Sequence, residues 1–73
     1  MTEYAFTVVI ERDEDGWYIA HVPALPGCHT QGETEVEAYE LIQDAARLHV
    51  QARLERGESI SPEVSTGTVK IAV

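Results

Sequence analysis

The sequence lacks the features of an exported or membrane protein. Cys28 is its single cysteine, so an internal disulfide is excluded, and a free thiol is typical of a reducing compartment such as the cytoplasm. The first residues, Met-Thr-Glu-Tyr, contain neither the basic nor the apolar region of a signal peptide, and no apolar run approaches the roughly 18 residues of a membrane span. We therefore expect a soluble, cytoplasmic protein.

Basic residues are also scarce. Five lysines and arginines stand against 13 aspartates and glutamates, which gives a formal net charge of −8 at pH 7. Such a surface repels phosphate backbones, so we expect no direct binding to nucleic acid. It attracts basic proteins, although a net charge of this size also simply keeps a small domain soluble. The composition favours neither of these two explanations.

The 73 residues are enough for one domain, which we expect to span residues 1–73. A chain of this length buries only about 60% of the surface that its unfolded form exposes, so a lone monomer has marginal stability. Small domains gain the missing stability from disulfides, metals or self-association. Because a disulfide is excluded and no metal site is expected, we predict a homo-oligomer, either a dimer or a tetramer.

No pattern of a catalytic or metal centre is present. A two-metal nuclease needs carboxylates from several elements around ions about 4 Å apart, whereas the acidic residues between positions 11 and 15 are neighbours in one turn. The side chains that favour zinc show no CxxC or HxxxH spacing: Cys28, His21, His29 and His49. No orienting acid or oxyanion donor accompanies Cys28 as a nucleophile. We therefore expect no catalytic residue, metal or cofactor, and no enzymatic activity.

Short strands are predicted on both sides of a helix. Four segments are expected to be strands: residues 4–10, 17–22, 28–31 and 68–73. Residues 12–16, Arg-Asp-Glu-Asp-Gly, favour a tight turn, so the first two strands should form an antiparallel hairpin. The prolines and glycine of residues 23–27 then interrupt the pairing.

One long helix is predicted after the third strand. Thr34 and Glu37 have the spacing of a capping box, in which the hydroxyl and the carboxylate satisfy free amides at the start of the helix. The apolar pattern continues to about Arg56, and glycine, here Gly57, commonly follows a helix. The expected fold is therefore α+β, in the order β-β-β-α-β, with an antiparallel sheet and the helix packed across it.

The predicted helix carries two apolar stripes. At 100° per residue, one face is expected to cover the sheet: Ala38, Leu41, Ile42, Ala45, Leu48, His49 and Ala52. A second, thinner stripe contains Val36, Tyr39, Ala46, Val50 and Leu54. This second stripe either widens the contact with the core or forms an interface between subunits. We favour the interface, because a small domain needs extra burial, and we assign it to Val36, Tyr39, Val50 and Leu54.

The end of the first hairpin is the predicted partner-binding surface. Trp17 and Tyr18 are consecutive residues of a strand and point to opposite faces, so one should be core and the other exposed. An exposed aromatic commonly anchors an interface, although both rings could instead cover the hairpin. Together with the turn residues Asp13, Glu14 and Asp15, these two aromatics are our predicted contacts to a partner.

Residues 26–38 resemble the signature of the HicB-like antitoxin family, P-G-C-x-T-x-G-x-T-x-x-E-A. The matching residues are Pro26, Gly27, Cys28, Thr30, Gly32, Thr34, Glu37 and Ala38. These residues determine the conformation of the backbone, since they supply a bend, a short strand, a turn and a helix cap. The hairpin with Gly-Trp-Tyr and the late Glu-Arg-Gly-Glu tract are similar too, so the resemblance covers nearly the whole chain.

The resemblance implies a partial ribonuclease H-like fold without a catalytic centre. It also implies a partner, because family members neutralise HicA-type toxins, which are small basic proteins that cleave mRNA. Many members carry a C-terminal DNA-binding domain, whereas this chain ends at Val73, so we expect no such domain and no operator binding. The alternative function is that of a stand-alone homo-oligomeric adaptor without a toxin.

Overall fold

A computed structural model describes residues 4–60 and residue 72 of the chain. Three strands precede one helix: β1 Val9–Arg12, β2 Tyr18–His21, β3 His29–Gly32 and α1 Glu35–Glu55. The strands form one antiparallel sheet in the order β1-β2-β3. The predicted α+β class is therefore confirmed. The predicted last strand, residues 68–73, lies outside the described residues except for Ala72.

The first strand begins later in the chain than predicted. The alternation of residues 4–10 predicts a strand there, but the described ladder starts at Val9, which pairs with His21 at the end of β2. Beyond β2 the chain turns, because the N–H of Leu25 donates to the carbonyl of Val22. β2 ends there, which is why the described ladder does not extend back to residue 4. The ends of β2 and β3 differ from the prediction by one residue.

The turn between β1 and β2 is held by the side chain of Asp13. Its Oδ1 accepts hydrogen bonds from the N–H groups of Asp15 and Trp17, each at 2.9 Å. The turn also needs Gly16, whose φ of 89° lies in the left-handed region that favours glycine. The turn predicted at residues 12–16 is thus confirmed, and Asp13 has a structural part in it.

Thr34 and Gly57 cap α1 at the predicted positions, and of the predicted capping box the structure shows the bond to the Thr34 hydroxyl but not the bond to the Glu37 carboxylate. Thr34 has an extended backbone, and its Oγ1 accepts a hydrogen bond from the N–H of Glu37 at 3.0 Å. At the other end the N–H of Gly57 donates to Leu54 and the N–H of Glu58 donates to Arg53, which is the bond pair of a Schellman motif. The helix between these caps has 21 residues and is about 32 Å long at 1.5 Å per residue.

The core lies between the sheet, the loop after β2 and α1. Its buried residues are Ala20, Val22, Leu25, Cys28, Ala38, Ile42 and Ile60. The helix packs mainly over β3, less over β2 and least over β1. At the end of β3 the two elements approach so closely that a Cβ on Gly32 would lie 2.7 Å from the backbone nitrogen of Ala38.

The face of α1 that covers the sheet differs from the predicted one. Ala38 and Ile42 are buried, but Leu41 and Leu48, which the pattern assigns to the same face, are 42% and 58% exposed. Val50, from the predicted second stripe, packs against the core instead. Successive helix residues lie 100° apart, so a helix that is centred on Ile42 carries Leu41 to its flank.

Candidate partner-binding surface

The turn between β1 and β2 and the start of α1 lie at the same end of the molecule. Tyr18, the first residue of β2, pairs with Gly32, the last residue of β3. The helix begins three residues after Gly32, and its N-cap is Thr34. Acidic residues that are about 20 positions apart in the sequence are consequently brought to one end of the fold.

We call this region the acidic end. It consists of five exposed acidic residues: Glu14, Asp15, Glu33, Glu35 and Glu37. The ion pairs within the described residues involve other carboxylates, those of Glu11, Asp44 and Glu58. Glu33, Glu35 and Glu37 were not among the residues predicted for this surface, although the register of the hairpins places them there.

One described arginine lies near the acidic end, but it forms no ion pair with the five carboxylates. Arg12 comes from the end of β1, and its guanidinium lies beside Gly16 of the turn and over the ring of Tyr18, 5.7 Å from the ring centroid. The other described arginines, Arg47, Arg53 and Arg56, belong to the second half of α1 and its C-cap. Carboxylates without an ion pair are therefore concentrated at the start of the helix, whereas three of the four described arginines lie toward its other end.

The five predicted partner contacts have different surroundings. Trp17 is 36% exposed, whereas Tyr18 is half-buried and packs against the core. One aromatic is thus available to a partner and the other is not. Asp13 is half-buried and its carboxylate is engaged with turn amides, while Glu14 and Asp15 are exposed. Of the five predicted contacts, the ones that a partner can reach are therefore Trp17, Glu14 and Asp15.

The predicted subunit interface falls partly into a groove. Tyr39, Val50 and Leu54 line a groove of about 610 Å³ between α1 and the segment before β1, whose lining includes Tyr4 and Phe6. Tyr39 and Leu54 are each 47% exposed, so apolar surface remains there for a second subunit. Val36 does not line the groove and is 67% exposed.

The thiol of Cys28 is placed for packing. The residue is buried in the core, and burial raises the pKa of its thiol, which disfavours the nucleophilic thiolate. His21 and His29 are cross-strand neighbours and line, with Cys28, a small pocket at the end of the sheet. Within residues 4–60 and 72, no three His, Cys, Asp or Glu side chains are grouped in a way that could hold a metal ion.

The signature residues shape the backbone. Gly27 has a φ of 82°, and the hydroxyl of Thr30 donates to the carbonyl of Ala38 at 3.1 Å, which ties β3 to the helix. Thr34 is the N-cap, and Gly32 allows the close approach described above.

In the described part of the chain, α1 is not apolar enough over a sufficient length to cross a bilayer.

Comparison with known proteins places the chain in a family. A family model described as the HicB-like antitoxin of bacterial toxin–antitoxin systems matches residues 6–71. A UPF0150 protein of Thermoplasma acidophilum is 47% identical over 55 residues, which are 75% of this chain and 80% of that protein. A UPF0150 protein of Archaeoglobus fulgidus is 44% identical over 61 residues, covering 81% of this chain and 88% of the relative.

A solved structure has the same fold. The N-terminal domain of the Burkholderia pseudomallei antitoxin HicB matches with a TM-score of 0.72 and 33% sequence identity, and the match covers 84% of this chain and 72% of that one. The family resemblance carried by residues 26–38 is thus confirmed by a match over nearly the whole length. This chain belongs to the HicB-like antitoxin family.

Proposed function

We propose that this chain is an antitoxin that binds and neutralises a small basic HicA-type toxin, a protein that cleaves mRNA. The observation that carries the proposal is the match of the HicB-like antitoxin model to residues 6–71. The acidic end supports a basic partner, because complementary charge accelerates encounter and disfavours wrong partners. The net charge of −8 acts in the same direction.

Neutralisation would work by competition with RNA. A toxin that cleaves mRNA needs a basic surface for phosphates, and the carboxylates of the acidic end suit that same surface. Glu14 and Asp15 would supply charge, and the exposed ring of Trp17 would supply an apolar anchor beside them. This mode of action requires no chemistry from the antitoxin, in keeping with a non-enzymatic role.

A stand-alone homo-oligomeric adaptor is the second candidate. The groove beside α1 favours it, because Tyr39 and Leu54 leave apolar surface exposed there. The two candidates differ in their partner. An adaptor of this kind would associate with itself and would leave the toxicity of a neighbouring basic protein unchanged.

The test is co-expression of this chain with any small basic protein that is encoded beside its gene. We expect the parent chain to restore growth and to co-purify with that protein. The double variant Glu14→Gln and Asp15→Asn removes two negative charges from the acidic end and should weaken binding about tenfold in calorimetry. Glu40→Lys makes the same change in net charge elsewhere on the helix and should weaken binding less.

Two results would contradict the proposal. One is that the basic proteins encoded beside this gene neither form a complex with the chain nor stop growth when they are expressed alone. The other is an affinity that does not fall as salt concentration rises, since an interface steered by exposed carboxylates is screened by ions.

A further inference from the structure

The flank of α1 above β3 exposes two leucines. Tyr39 and Leu54 face the segment before β1, so the opposite flank, with Leu41 and Leu48, lies on the other side of the helix. Because α1 packs mainly over β3, this flank is the one nearer to the outer side of that strand. The two leucines are two turns apart, about 10 Å along the axis, and almost in line. We call Leu41 and Leu48 the leucine ridge.

The outer edge of β3 lies open beneath this ridge in the part of the chain that the structure describes. There β3 pairs with β2 on its inner side only. The N–H of Val22 donates to the carbonyl of Cys28, and hydrogen-bonded pairs alternate along an antiparallel ladder, so Thr30 is the next residue bonded to β2. The main-chain groups of His29 and Gln31 consequently point outward.

Carboxylates border the leucine ridge on its solvent side. At 100° per residue, Glu37, Asp44 and Glu55 all lie within about 60° of the ridge line. Asp44 pairs with Arg47 at 3.4 Å, whereas the ion pairs of the described residues leave out Glu37 and Glu55. These last two carboxylates flank the ridge toward its two ends. A second copy of this acidic chain would be repelled there, and a basic segment would be attracted.

We propose that the leucine ridge and the outer edge of β3 bind an extended basic segment of another protein. The segment would join β3 as a further strand through the main-chain groups of His29 and Gln31. Two apolar side chains on its helix-facing side would cover the ridge, and a lysine or arginine before and after them would reach Glu37 and Glu55. The inference rests on the proposed function in that the partner is a basic protein.

A short peptide tests this surface directly. The blocked peptide Lys-Thr-Val-Thr-Val-Thr-Lys carries both lysines and both valines on one face when extended. Titrated at millimolar concentration into the full chain, it should shift the amide signals of His29 and Gln31 and the methyl signals of the ridge. The peptide with glutamate in place of lysine should shift none of them. Shifts confined to Tyr39 and Leu54, or no shifts, would overturn the proposal.

Matched variants test the side chains. Leu41→Ser with Leu48→Ser should weaken binding of the peptide about tenfold. Val36→Ser, on the opposite flank and outside the groove, should leave that binding unchanged. An equal loss in the two variants would overturn the proposal.

The charges of the ridge border are tested in the same titration. Glu55→Lys should weaken binding of the basic peptide. Glu40→Lys makes the same change in charge at a position about 100° from Leu41 around the helix, and it should change this binding less than twofold. If the two single variants behaved alike, the flanking carboxylates would have no specific role and the proposal would be wrong.

The same variants separate this proposal from the antitoxin function. A basic toxin that bound the Leu41→Ser and Leu48→Ser variant as tightly as the parent chain would overturn the ridge and leave the function intact. Peptide binding at the ridge by a chain that neutralises no toxin would support the ridge and overturn the antitoxin function. If the Leu41→Ser and Leu48→Ser variant had a lower mass in solution than the parent chain, the ridge would join two copies, which contradicts the proposal.

Discussion

Gly32 is the residue at which the fold allows no side chain. A Cβ there would lie 2.7 Å from the nitrogen and 3.1 Å from the Cα of Ala38. Both are backbone atoms of the first turns of α1, so neither can rotate out of the way as a side chain would. The glycine is therefore required by space, and any larger residue must push β3 away from the helix.

Replacing Gly32 by alanine should lower the free energy of unfolding by about 1–3 kcal/mol, the usual cost of an extra atom in a filled site. Urea denaturation followed by circular dichroism measures the change. Gln31→Ala, at the exposed neighbouring position, is the control and should change stability by less than about 0.5 kcal/mol. A Gly32→Ala protein as stable as the parent would mean that β3 and α1 are farther apart than described.

The conformations of single residues were predictable where they depend on their neighbours in sequence. Asp13, Gly16 and Thr34 adopt the turn and cap geometries that their residue types favour. Surroundings set by other elements were not predictable in this way. The carboxylate of Asp13 already accepts two hydrogen bonds in the turn, which makes Glu14 and Asp15 the stronger candidates for contact with a partner.

At the scale of elements, the ends of α1 followed from the sequence and its buried face did not. The caps at Thr34 and Gly57 are made within a few residues. The buried face depends on how the helix is rotated against the sheet, and the apolar pattern is broad enough to allow more than one rotation. β1 shows the same limit, because its first residue is decided by where β2 ends at His21.

The N-cap of α1 is expected to contribute measurably to stability. Thr34→Ala removes the oxygen that accepts from the N–H of Glu37 and should lower the free energy of unfolding by about 1 kcal/mol. Thr34→Ser keeps an acceptor at the same position and should retain most of the stability. Thermal denaturation of the two variants beside the parent decides the matter, and a serine variant as unstable as the alanine variant would contradict the capping role.

At the scale of the whole molecule, the sequence shows the amount of charge but not its distribution. The acidic end forms only because Tyr18 pairs with Gly32, which brings the β1–β2 turn beside the start of α1. The separation of carboxylates from Arg53 and Arg56 likewise depends on the direction of the helix. A count of residues predicts a basic partner, whereas the place where it would bind depends on strand register.

Self-association is expected to use the groove beside α1. Tyr39→Glu with Leu54→Glu should put charge into this groove and reduce the mass in light scattering to that of one 8.1 kDa chain. Val50 is a poorer choice for the test, because it packs against the core and its replacement would also destabilise the fold. Leu48→Glu, on the other flank, is the control. An unchanged mass in the double variant, with circular dichroism like that of the parent, would exclude the groove as the interface.

The junction of β3 and α1 also has a consequence for the order of folding. The bond from the Thr30 hydroxyl to the carbonyl of Ala38 joins residues only eight positions apart, and Gly32 lies between them. Closing so short a loop costs little chain entropy, so we expect this junction to be formed in the transition state of folding. Changes at the junction should then slow folding more than they hasten unfolding. The segment that carries the family signature would also be the nucleus of the fold.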